Sequence, residues 1–577
     1  MSTRYRFWVG GLAALGVTLA VSALPACSSS SGGSATPGEG GAGGAGDDAS
    51  LGTPPGPPAD CPVVVKAADC DPNTRPLVFV HGTYSSGTDI EHMAALLGSN
   101  GFCQDRIVAI DYDSVTASPT FTGGGVDSPG LDCTGSNTPA GCGKIDRAVD
   151  ALLAKFPQFK QVDLAGHSQG TFHCGAYLKA HPDKIAHYIN FSGVPEVGNI
   201  PTLSLSSQRD LGGSPHHAMG NSICAFQQLE DGGTEMMANP APDTTGPQQT
   251  FSDIPGSGDG GAGEGGAGDG GAACNVIQYT FVHQDHFAVA ASKDSFVQVY
   301  KYLTGKEPMY TDIQCGDDPV MVEGVAERFA DNAPIAGKVE IREVTSTPRD
   351  TSAPVMTIMG DLDAGADPLL PPGHFGPVPL HRNHQYVFTG YDDNGKLVGW
   401  QYFTPFKRDN RLVRLLSPAS GNDGTGAIGM LVAGQSTDNA VASTGSTVIV
   451  ARWAQGGFRQ DLGASLKVNG VEVLSSDNSG LNAAMHQSLQ GGVAAMFLED
   501  TNGNKKTDLG LPYSTTFIAF TDAYINATHP GFVDMTFTAG SEDPVTVAMP
   551  IVVENYPSKA SADASTADNH YVAVMFQ

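Results

Sequence analysis

Residues 164–170 read LAGHSQG, and the last five letters form the pattern G-x-S-x-G centred on Ser168. The apolar run QVDLA at 161–165 leads into the pattern, and TFHCGAYL at 171–178 follows it with a helical character. Where a strand runs through a sharp turn into a helix, the backbone of the serine at the turn is strained. Small residues on both sides of the serine let the strand and the helix approach each other. The stretch therefore predicts a nucleophilic Ser168 at the carboxyl edge of a sheet, beside a helix N-terminus that favours developing negative charge.

Short apolar runs alternate with helical patterns between residues 61 and 306. Two of the runs, LVFV at 77–80 and IVAI at 107–110, are wholly apolar. Wholly apolar strands that alternate with helices indicate an α/β fold, with a doubly wound and mostly parallel sheet covered on both faces. The further predicted strands are 188–191, 202–205 and 276–282, and the further predicted helices are 144–156 and 293–303.

A serine needs a general base within hydrogen-bond reach, and the base needs an acid that orients it. In the α/β-hydrolases, which the motif at Ser168 resembles, the acid and the histidine follow the serine in that order, each just past a strand end. Asp210 comes shortly after the strand predicted at 202–205 and is the predicted acid, with Asp231 and Glu230 as alternatives.

Two histidines compete for the role of the base. His286 lies in the run DHF after the last predicted strand of the sheet, and His283 lies in the run VHQ just before it. The predicted helix that follows has an apolar face that would close the domain, and the DHF context favours His286.

The pair His81-Gly82 directly follows the strand LVFV. A turn at this place commonly presents a backbone N–H group to the oxyanion of the substrate, and the candidate donors are the amides of Thr83 and Gln169. Losing one such donor typically raises the barrier by about 3 kcal/mol. We expect His81 to shape this turn rather than to take part in the chemistry.

These segments together resemble the α/β-hydrolase lipases and esterases. The resemblance rests on PLVFVHGT at 76–83, GHSQG at 166–170 and the segment 285–306. It implies a serine carboxylic-ester hydrolase, most simply a lipase that acts on acyl esters through a Ser-His-Asp triad and an acyl-enzyme, without a cofactor. The interval between Phe191 and Thr202 is too short for a large cap domain, although the loop 114–143 could cover the pocket instead.

After residue 316 the sequence changes to short alternating runs separated by Gly, Asn and Asp turns, which is typical of all-β structure. The run NAPIAGKVEI at 332–341 resembles a transthyretin-like β-sandwich, predicted here for 316–418. The run QYFTPFKRDN at 401–410 and the region after it resemble the C-terminal domains of archaeal and bacterial lipases. In that group the domain is thought to help bind long acyl chains, and a β-rich domain of this kind is predicted for 419–577.

The first 27 residues are predicted to be a lipoprotein signal peptide. Basic residues and an apolar stretch precede LPAC at 24–27, which resembles a lipobox, so lipidation of Cys27 would anchor the chain to the bacterial outer membrane. Ordinary secretion is the alternative. Residues 28–60 are predicted to be a disordered tether, and 256–271 (GSGDGGAGEGGAGDGG) to be a disordered insert within the catalytic domain 61–315.

The formal charge of −29 argues against nucleic acid and anionic membrane surfaces as partners. The chain has 10 cysteines, which is consistent with an oxidising compartment. Connectivity does not follow from sequence. Close spacing suggests the pairs Cys61–Cys70 and Cys133–Cys142 and a clamp at Cys224 and Cys274, and leaves Cys103, Cys174 and Cys315 unassigned.

A metal site is weakly indicated at one place. The run DTNGNKKTD at 500–508 spaces oxygen ligands at alternate positions, as calcium loops do, but Leu511 stands where such loops end in an acidic residue. A hairpin turn is therefore favoured over a calcium loop.

Two other functions remain open at this point. A polyester depolymerase or cutinase-like enzyme would use the same serine machinery. A non-catalytic lipoprotein that presents its β domains to other surfaces would not need the serine, acid and histidine in this order.

Overall fold

The structure is a computed structural model, and part of the chain is described. The described residues are 61–83, 85–114, 143–193, 199–207, 223–229, 276–281, 284, 286–328, 332–335, 337–345, 356–359, 369–392, 394–395, 397–417, 449–453, 464–474, 495–499, 514–515, 518–522, 532–538, 544–550 and 572–576.

A parallel sheet of seven strands forms the centre of the first domain. Its order is β2-β1-β3-β4-β5-β7-β6, and all neighbouring strands are parallel. The sheet confirms the predicted α/β fold. The strands are β1 Leu77–Val80, β2 Ile107–Ile110, β3 Val162–His167, β4 Ile185–Phe191, β5 Thr202–Ser207, β6 Ile223–Leu229 and β7 Val276–Phe281.

Helices cover both faces of this sheet. Side chains alternate across a strand, so Phe79 of β1 packs on one face with helix residues such as Leu96 and Phe296, while Val80 packs on the other face with Val149. The described helices are α1 Glu91–Ser99, α2 Lys144–Lys155, α3 Gln169–Ala180, α4 Ala288–Ala291 and α5 Lys293–Thr304. In the described part of the chain, short 3-10 helices lie at Ala67–Asp69, Gly87–Ile90, Gln104–Arg106 and Pro182–Lys184.

The sheet order contains a switch point between β1 and β3. The chain continues from β1 to β2 on one side of β1, and then returns to place β3 on its other side. At such a point the connections leave in opposite directions and open a crevice at the carboxyl ends of the two strands. The serine turn follows β3 and the His81-Gly82 turn follows β1, so both motifs lie at this crevice.

The second half of the described chain is built from strands in four sheets. The strands are β8 Val320–Arg328, β9 Lys338–Glu343, β10 Met356–Met359, β11 His374–Leu380, β12 Tyr386–Tyr391, β13 Leu397–Phe403, β14 Asn410–Ser417, β15 Ile449–Trp453, β16 Ser465–Val468, β17 Val471–Leu474, β18 Ala495–Glu499, β19 Ser514–Thr515, β20 Ile518–Asp522, β21 Phe532–Thr538, β22 Val545–Pro550 and β23 Val572–Phe576. The sheet orders are β10-β9-β12-β13-β23-β15, β11-β8-β14, β17-β16-β21-β22 and β18-β20-β19.

The first two of these sheets share one hydrophobic core, which contains Val322 of β8, Ile341 of β9 and Phe388 of β12. Strand β23, close to the end of the chain, lies between β13 and β15 in the larger sheet. This sheet therefore joins residues from both sides of position 418, where the sequence predicts a domain boundary.

The β half packs tightly on the α/β domain. Leu412 of β14 belongs to the hydrophobic core that α1 and the central sheet form. The Arg408 guanidinium donates to Ser99 Oγ at 2.8 Å, and Asn410 Nδ2 donates to Glu91 Oε1. The two parts thus share an apolar core and buried polar contacts. Among the described residues, no helix is long and apolar enough to cross a membrane.

Two disulfides are present in the described chain, Cys61–Cys315 and Cys70–Cys103, and the predicted pair Cys61–Cys70 is wrong. Val65 N donates to the carbonyl of Cys315 at 2.8 Å, so the first described segment runs beside the start of the β half. The pairing predicted from close spacing is wrong because the fold brings Cys61 beside Cys315, a residue that is distant in the sequence. Cys174 is free and buried, and the other predicted pairs involve residues outside the described ones.

The two disulfides close loops of very different length, with separations of 254 and 33 residues. In the chain-entropy account, the longer loop restricts the unfolded chain more, by about 2 kcal/mol. We therefore expect Cys61→Ser/Cys315→Ser to lower the free energy of unfolding by about 2 kcal/mol more than Cys70→Ser/Cys103→Ser. Guanidinium unfolding of both double variants measures this difference, and an equal loss would contradict it.

Candidate active site

Ser168 occupies the sharp turn between β3 and α3. Its φ of 51° and ψ of −120° lie in a region that non-glycine residues rarely adopt. Ser168 N donates to Phe191 O at 3.0 Å, and Ser168 O accepts from Thr171 N at 3.0 Å and from Thr171 Oγ1 at 2.6 Å. Neighbouring groups thus hold a backbone conformation that costs about 1–3 kcal/mol, which is a feature that clusters at functional sites.

Close approach explains the small residues around the serine. A side chain at Gly170 would overlap the carbonyl oxygens of Val80 and His81, because the first turn of α3 lies directly against the end of β1. A Cβ atom at Gly82 would lie 2.9 Å from Ser168 Cβ. The turn after β1 and the turn after β3 are therefore in direct contact.

This contact brings the predicted oxyanion residues together. Thr83 follows Gly82, and the Thr83 hydroxyl donates to Gln169 Oε1 at 2.6 Å. Gln169 is the first residue of α3, so its N–H has no partner within the helix and lies at the positive end of the helix dipole. The structure places both residues beside Ser168, and their role as oxyanion donors stays a prediction.

His81 organises the segment 81–87, which we call the oxyanion loop. His81 is buried, and its Nδ1 lies 2.7 Å from Gly82 O, so Nδ1 carries the proton and donates. His81 Nε2 then accepts from Tyr112 N at 3.3 Å and from Asn332 Nδ2 at 3.1 Å. Burial lowers the pKa of His81, so a neutral imidazole fits this arrangement and shapes the loop.

His286 is buried and lies directly behind the serine turn. Its carbonyl oxygen is 2.9 Å from His167 Nε2, and the rings of His167 and His286 are 4.8 Å apart between centroids. The hydroxyl of Ser207, at the end of β5, donates to the carbonyl of Gln284. Contacts from the ends of β3 and β5 therefore hold the segment that carries His286.

A buried His-Asp pair supports this arrangement, and the sequence analysis did not find it. His167 Nδ1 lies 3.0 Å from Asp89 Oδ2, and both side chains are almost fully buried. Both ring nitrogens of His167 thus face acceptors, the Asp89 carboxylate and the carbonyl of His286. The GHSQG pattern contains His167, but no local signal links it to Asp89.

The charge state of Asp89 follows from its neighbours. Burial on its own raises the pKa of Asp89, but the hydrogen bonds from His167 and Ser85 and the charge of His167 outweigh burial, so the pKa of Asp89 is lowered. The ionised Asp89 accepts hydrogen bonds from His167 Nδ1 and from the Ser85 hydroxyl. The pair ties the 3-10 helix Gly87–Ile90 to the turn that carries the serine.

Four candidate residues from the sequence analysis lie outside the described residues: Asp210, its alternatives Asp231 and Glu230, and His283. Strand β5 ends at Ser207, three positions before Asp210. Since Ser207 bonds to the carbonyl of Gln284, the strand that leads to Asp210 is tied to the segment that carries His286. The assignment of Asp210 as the acid stays a prediction.

The part of the chain that the structure describes contains no candidate metal-binding site. No group of three or more His, Cys, Asp or Glu side chains there is arranged to hold an ion. The possible calcium loop at 500–508 and the predicted lipidation site Cys27 lie outside the described residues.

The comparisons with known proteins give one family. Residues 318–420 match the family of lipase C-terminal domains. The chain therefore joins the doubly wound α/β sheet to a segment that matches this family. The matched segment is the first of the two predicted β domains, the one with the transthyretin-like resemblance, and it contains β8 to β14.

Nineteen chains of solved structures, among them the following three, match part of the chain, whereas no curated protein matches it. The first is a thioesterase domain from the curacin biosynthetic pathway, with 21% identity, 22% of this chain and 41% of that chain covered, and a TM-score of 0.15. The second is a probable hydrolytic enzyme from Pseudomonas aeruginosa PAO1, with 15% identity, 22% and 35% covered, and a TM-score of 0.15. The third is a hypothetical protein from the same organism, with 20% identity, 22% and 38% covered, and a TM-score of 0.14.

The chain spans less than half the length of these proteins. Because these TM-scores are low, the assignment of the fold rests on the sheet order and on the turn at Ser168.

Removing the charge of Asp89 tests the buried pair. Asp89→Asn removes the buried carboxylate that accepts from His167 Nδ1 and from the Ser85 hydroxyl, so we expect a loss of about 3 kcal/mol in the free energy of unfolding at pH 7. The pKa of Asp89 is lowered on folding, so its contribution is present above the unfolded value of 3.8 and is lost as the pH falls through the folded value. Urea unfolding of wild type and variant at pH 7 and at about pH 3 should therefore show a large difference that shrinks in acid.

Asp150→Asn is the matched control, because Asp150 pairs with Lys184 and its side chain is 56% exposed. An exposed pair of this kind contributes less than about 1 kcal/mol. A loss for Asp89→Asn that is the same at both pH values would show that the carboxylate charge does not matter there.

Proposed function

We propose that the chain is a serine carboxylic-ester hydrolase, and more specifically a lipase that acts on acyl esters. The observation that carries the proposal is the conformation of Ser168, a non-glycine residue at positive φ between a central strand and a helix. Its place at the switch point of the sheet and the presence of His286 behind it support the same reading. In α/β sheets, ligands bind in the crevice at such a switch point.

The proposed reaction begins when Ser168 Oγ attacks the ester carbonyl while His286 takes the hydroxyl proton. The N–H groups of Thr83 and Gln169 stabilise the resulting oxyanion. His286 then returns the proton to the leaving alcohol, which leaves an acyl-enzyme on Ser168. Water, deprotonated by His286, attacks the acyl carbonyl, and His286 returns this proton to Ser168 Oγ as the acid leaves. Asp210 holds the imidazole in the right orientation throughout.

The acyl-ester substrate class rests on the lipase C-terminal domain at 318–420. This domain packs on the α/β domain through Leu412, which lies in the core beside α1, and through buried hydrogen bonds. An ester of a fatty acid supplies both the carbonyl that Ser168 attacks and a long apolar chain for a lipase domain to bind. No cofactor is needed for this chemistry.

Replacing the nucleophile tests the mechanism. Ser168→Ala removes the only proposed attacking atom, so we expect hydrolysis of p-nitrophenyl esters to fall by at least about 1,000-fold. The series from two-carbon to sixteen-carbon acyl chains, measured on the secreted or detergent-extracted full protein, gives the chain-length preference. A fluorophosphonate probe should label the wild type and leave Ser168→Ala unlabelled.

Ser465→Ala serves as the control, because Ser465 begins β16 in a separate sheet of the β half. Turnover that rises with chain length supports a lipase, and turnover confined to short chains supports an esterase or polyester hydrolase. Full activity in Ser168→Ala would contradict the mechanism, and a wild type that hydrolyses no ester would favour a binding protein.

Replacing each candidate carboxylate by an amide tests the assignment of Asp210 as the acid of the triad. An amide in place of the acid leaves the histidine in the wrong tautomer, so Asp210→Asn should lower kcat about 10,000-fold near neutral pH. Asp231→Asn and Glu230→Gln, the alternatives along the chain, should keep wild-type turnover. A large loss in either alternative with full activity in Asp210→Asn would move the acid to that position.

A further inference from the structure

Asn332, a residue of the segment that matches the lipase C-terminal domains, reaches the oxyanion loop. Asn332, in the turn after β8, is 8% exposed, and its Nδ2 atom has three neighbours in the α/β domain. These are Ser85 O at 2.7 Å, Tyr112 O at 3.1 Å and His81 Nε2 at 3.1 Å. All three are acceptors, since the Nδ1 proton of His81 is used on Gly82. The two Nδ2 protons of Asn332 are shared among these three acceptors, which fixes the orientation of the amide.

The backbone at Asn332 also selects this residue type. Its φ is 51°, and Asn adopts this left-handed region more readily than other residues with a side chain. Asn332 N donates to Arg328 O at 3.0 Å, and Arg328 N donates to Ala333 O at 2.8 Å, which closes the turn. The turn is therefore built so that the Asn332 amide enters the neighbouring domain.

A second contact from the same domain holds the other end of the oxyanion loop. Gly87 N donates to Asp111 Oδ1 at 2.7 Å, and Asp111 Oδ2 lies 2.6 Å from Arg414 Nη2. Arg414, on β14, is buried, and its guanidinium packs so closely on Gly87 that a side chain there would overlap it. The C-terminal domain thus contacts the loop on both sides of Ser85.

These contacts lie close to the reacting centre. Ser85, one partner of Asn332, is two positions from Thr83. His81, another partner of Asn332, directly precedes Gly82, which lies in close contact with Ser168. An oxyanion donor acts only when its N–H points at the place where charge develops, and an error of about 1 Å can cost on the order of 100-fold in rate.

We propose that Asn332 is a positioning residue for the oxyanion loop, so that the C-terminal domain takes part in stabilising the transition state. The proposal rests on the proposed serine hydrolase function. Asn332 touches no reacting atom. It satisfies the carbonyls of Ser85 and Tyr112 and holds Nε2 of His81, and these contacts fix the backbone that carries the Thr83 N–H.

Asn332→Gly is the variant of choice, because glycine keeps the positive φ and removes only the amide. We expect kcat for p-nitrophenyl butyrate to fall about 10- to 100-fold with KM within about twofold, since the lost positioning acts in the transition state. The affinity for a boronic acid, which forms a tetrahedral adduct with the serine, should fall by the same factor. Asn332→Asp keeps the size but places a carboxylate against two carbonyls, so its loss should be larger.

The matched control is Asn410→Ala, which removes another asparagine contact across the same interface, from Asn410 to Glu91 on α1. This variant should lower the thermal midpoint while kcat stays within about twofold of wild type. An unchanged kcat in Asn332→Gly, or a rise in KM alone, would overturn the proposal and leave Asn332 with a structural or substrate-binding role.

Hydrogen exchange followed by mass spectrometry separates this proposal from the proposed function. In Asn332→Gly the peptide that contains 81–87 should exchange at least about 10-fold faster, whereas Asn410→Ala should affect the peptide that contains 91–99. Unchanged exchange at 81–87 would overturn the proposal whether or not the protein hydrolyses esters. Faster exchange with no ester hydrolysis in the wild type would refute the hydrolase function and would also refute the catalytic part of this proposal.

Discussion

The contact between the first turn of α3 and the end of β1 is the constraint on which the site depends. Gly170 lies against the carbonyls of Val80 and His81, so nothing larger than hydrogen fits there. This approach forces the chain to turn sharply at Ser168, since the strand and the helix it joins must both lie against β1. The strained serine conformation is thus a consequence of packing, and the neighbouring hydrogen bonds to Phe191 and Thr171 make it the stable state.

The buried pair of His167 and Asp89 connects three separate segments through one ring. Its carboxylate belongs to the 3-10 helix after the oxyanion loop, its imidazole ends β3, and its second ring nitrogen faces the carbonyl of His286. A buried charge pair contributes little to net stability, but breaking it leaves an unpaired charge in the interior. The pair therefore penalises any arrangement in which the serine turn and the histidine segment separate.

The sequence predicts those parts of the fold that are governed by local pattern. The apolar strands β1, β2 and β3 and the helices α2 and α5 follow from periodicity, and the serine turn follows from a motif whose glycines have a steric role. Helix α1 escapes prediction because Glu91 and His92 are buried on it, and their partners come from distant segments, Asn410 and the carbonyl of Ala291. The same holds for Cys61–Cys315 and for Asn332, whose partners lie 254 and up to 251 positions away. The residues near a position in the sequence do not indicate which distant segment will pack against it in the fold.

The sheets of the α/β domain and of the β half are separate, which fits a division of the chain into a catalytic and a binding domain. The contacts between the two parts do not fit this division. Residues of β14 enter the core beside α1, and a side chain after β8 completes the hydrogen bonding of His81. The carbonyls of Ser85 and Tyr112 would need water or another donor if the second domain were removed, because a buried carbonyl without a partner costs about 1–3 kcal/mol. The α/β domain is therefore complete as a sheet but incomplete as a site, and the segment that follows it supplies part of the framework around the serine.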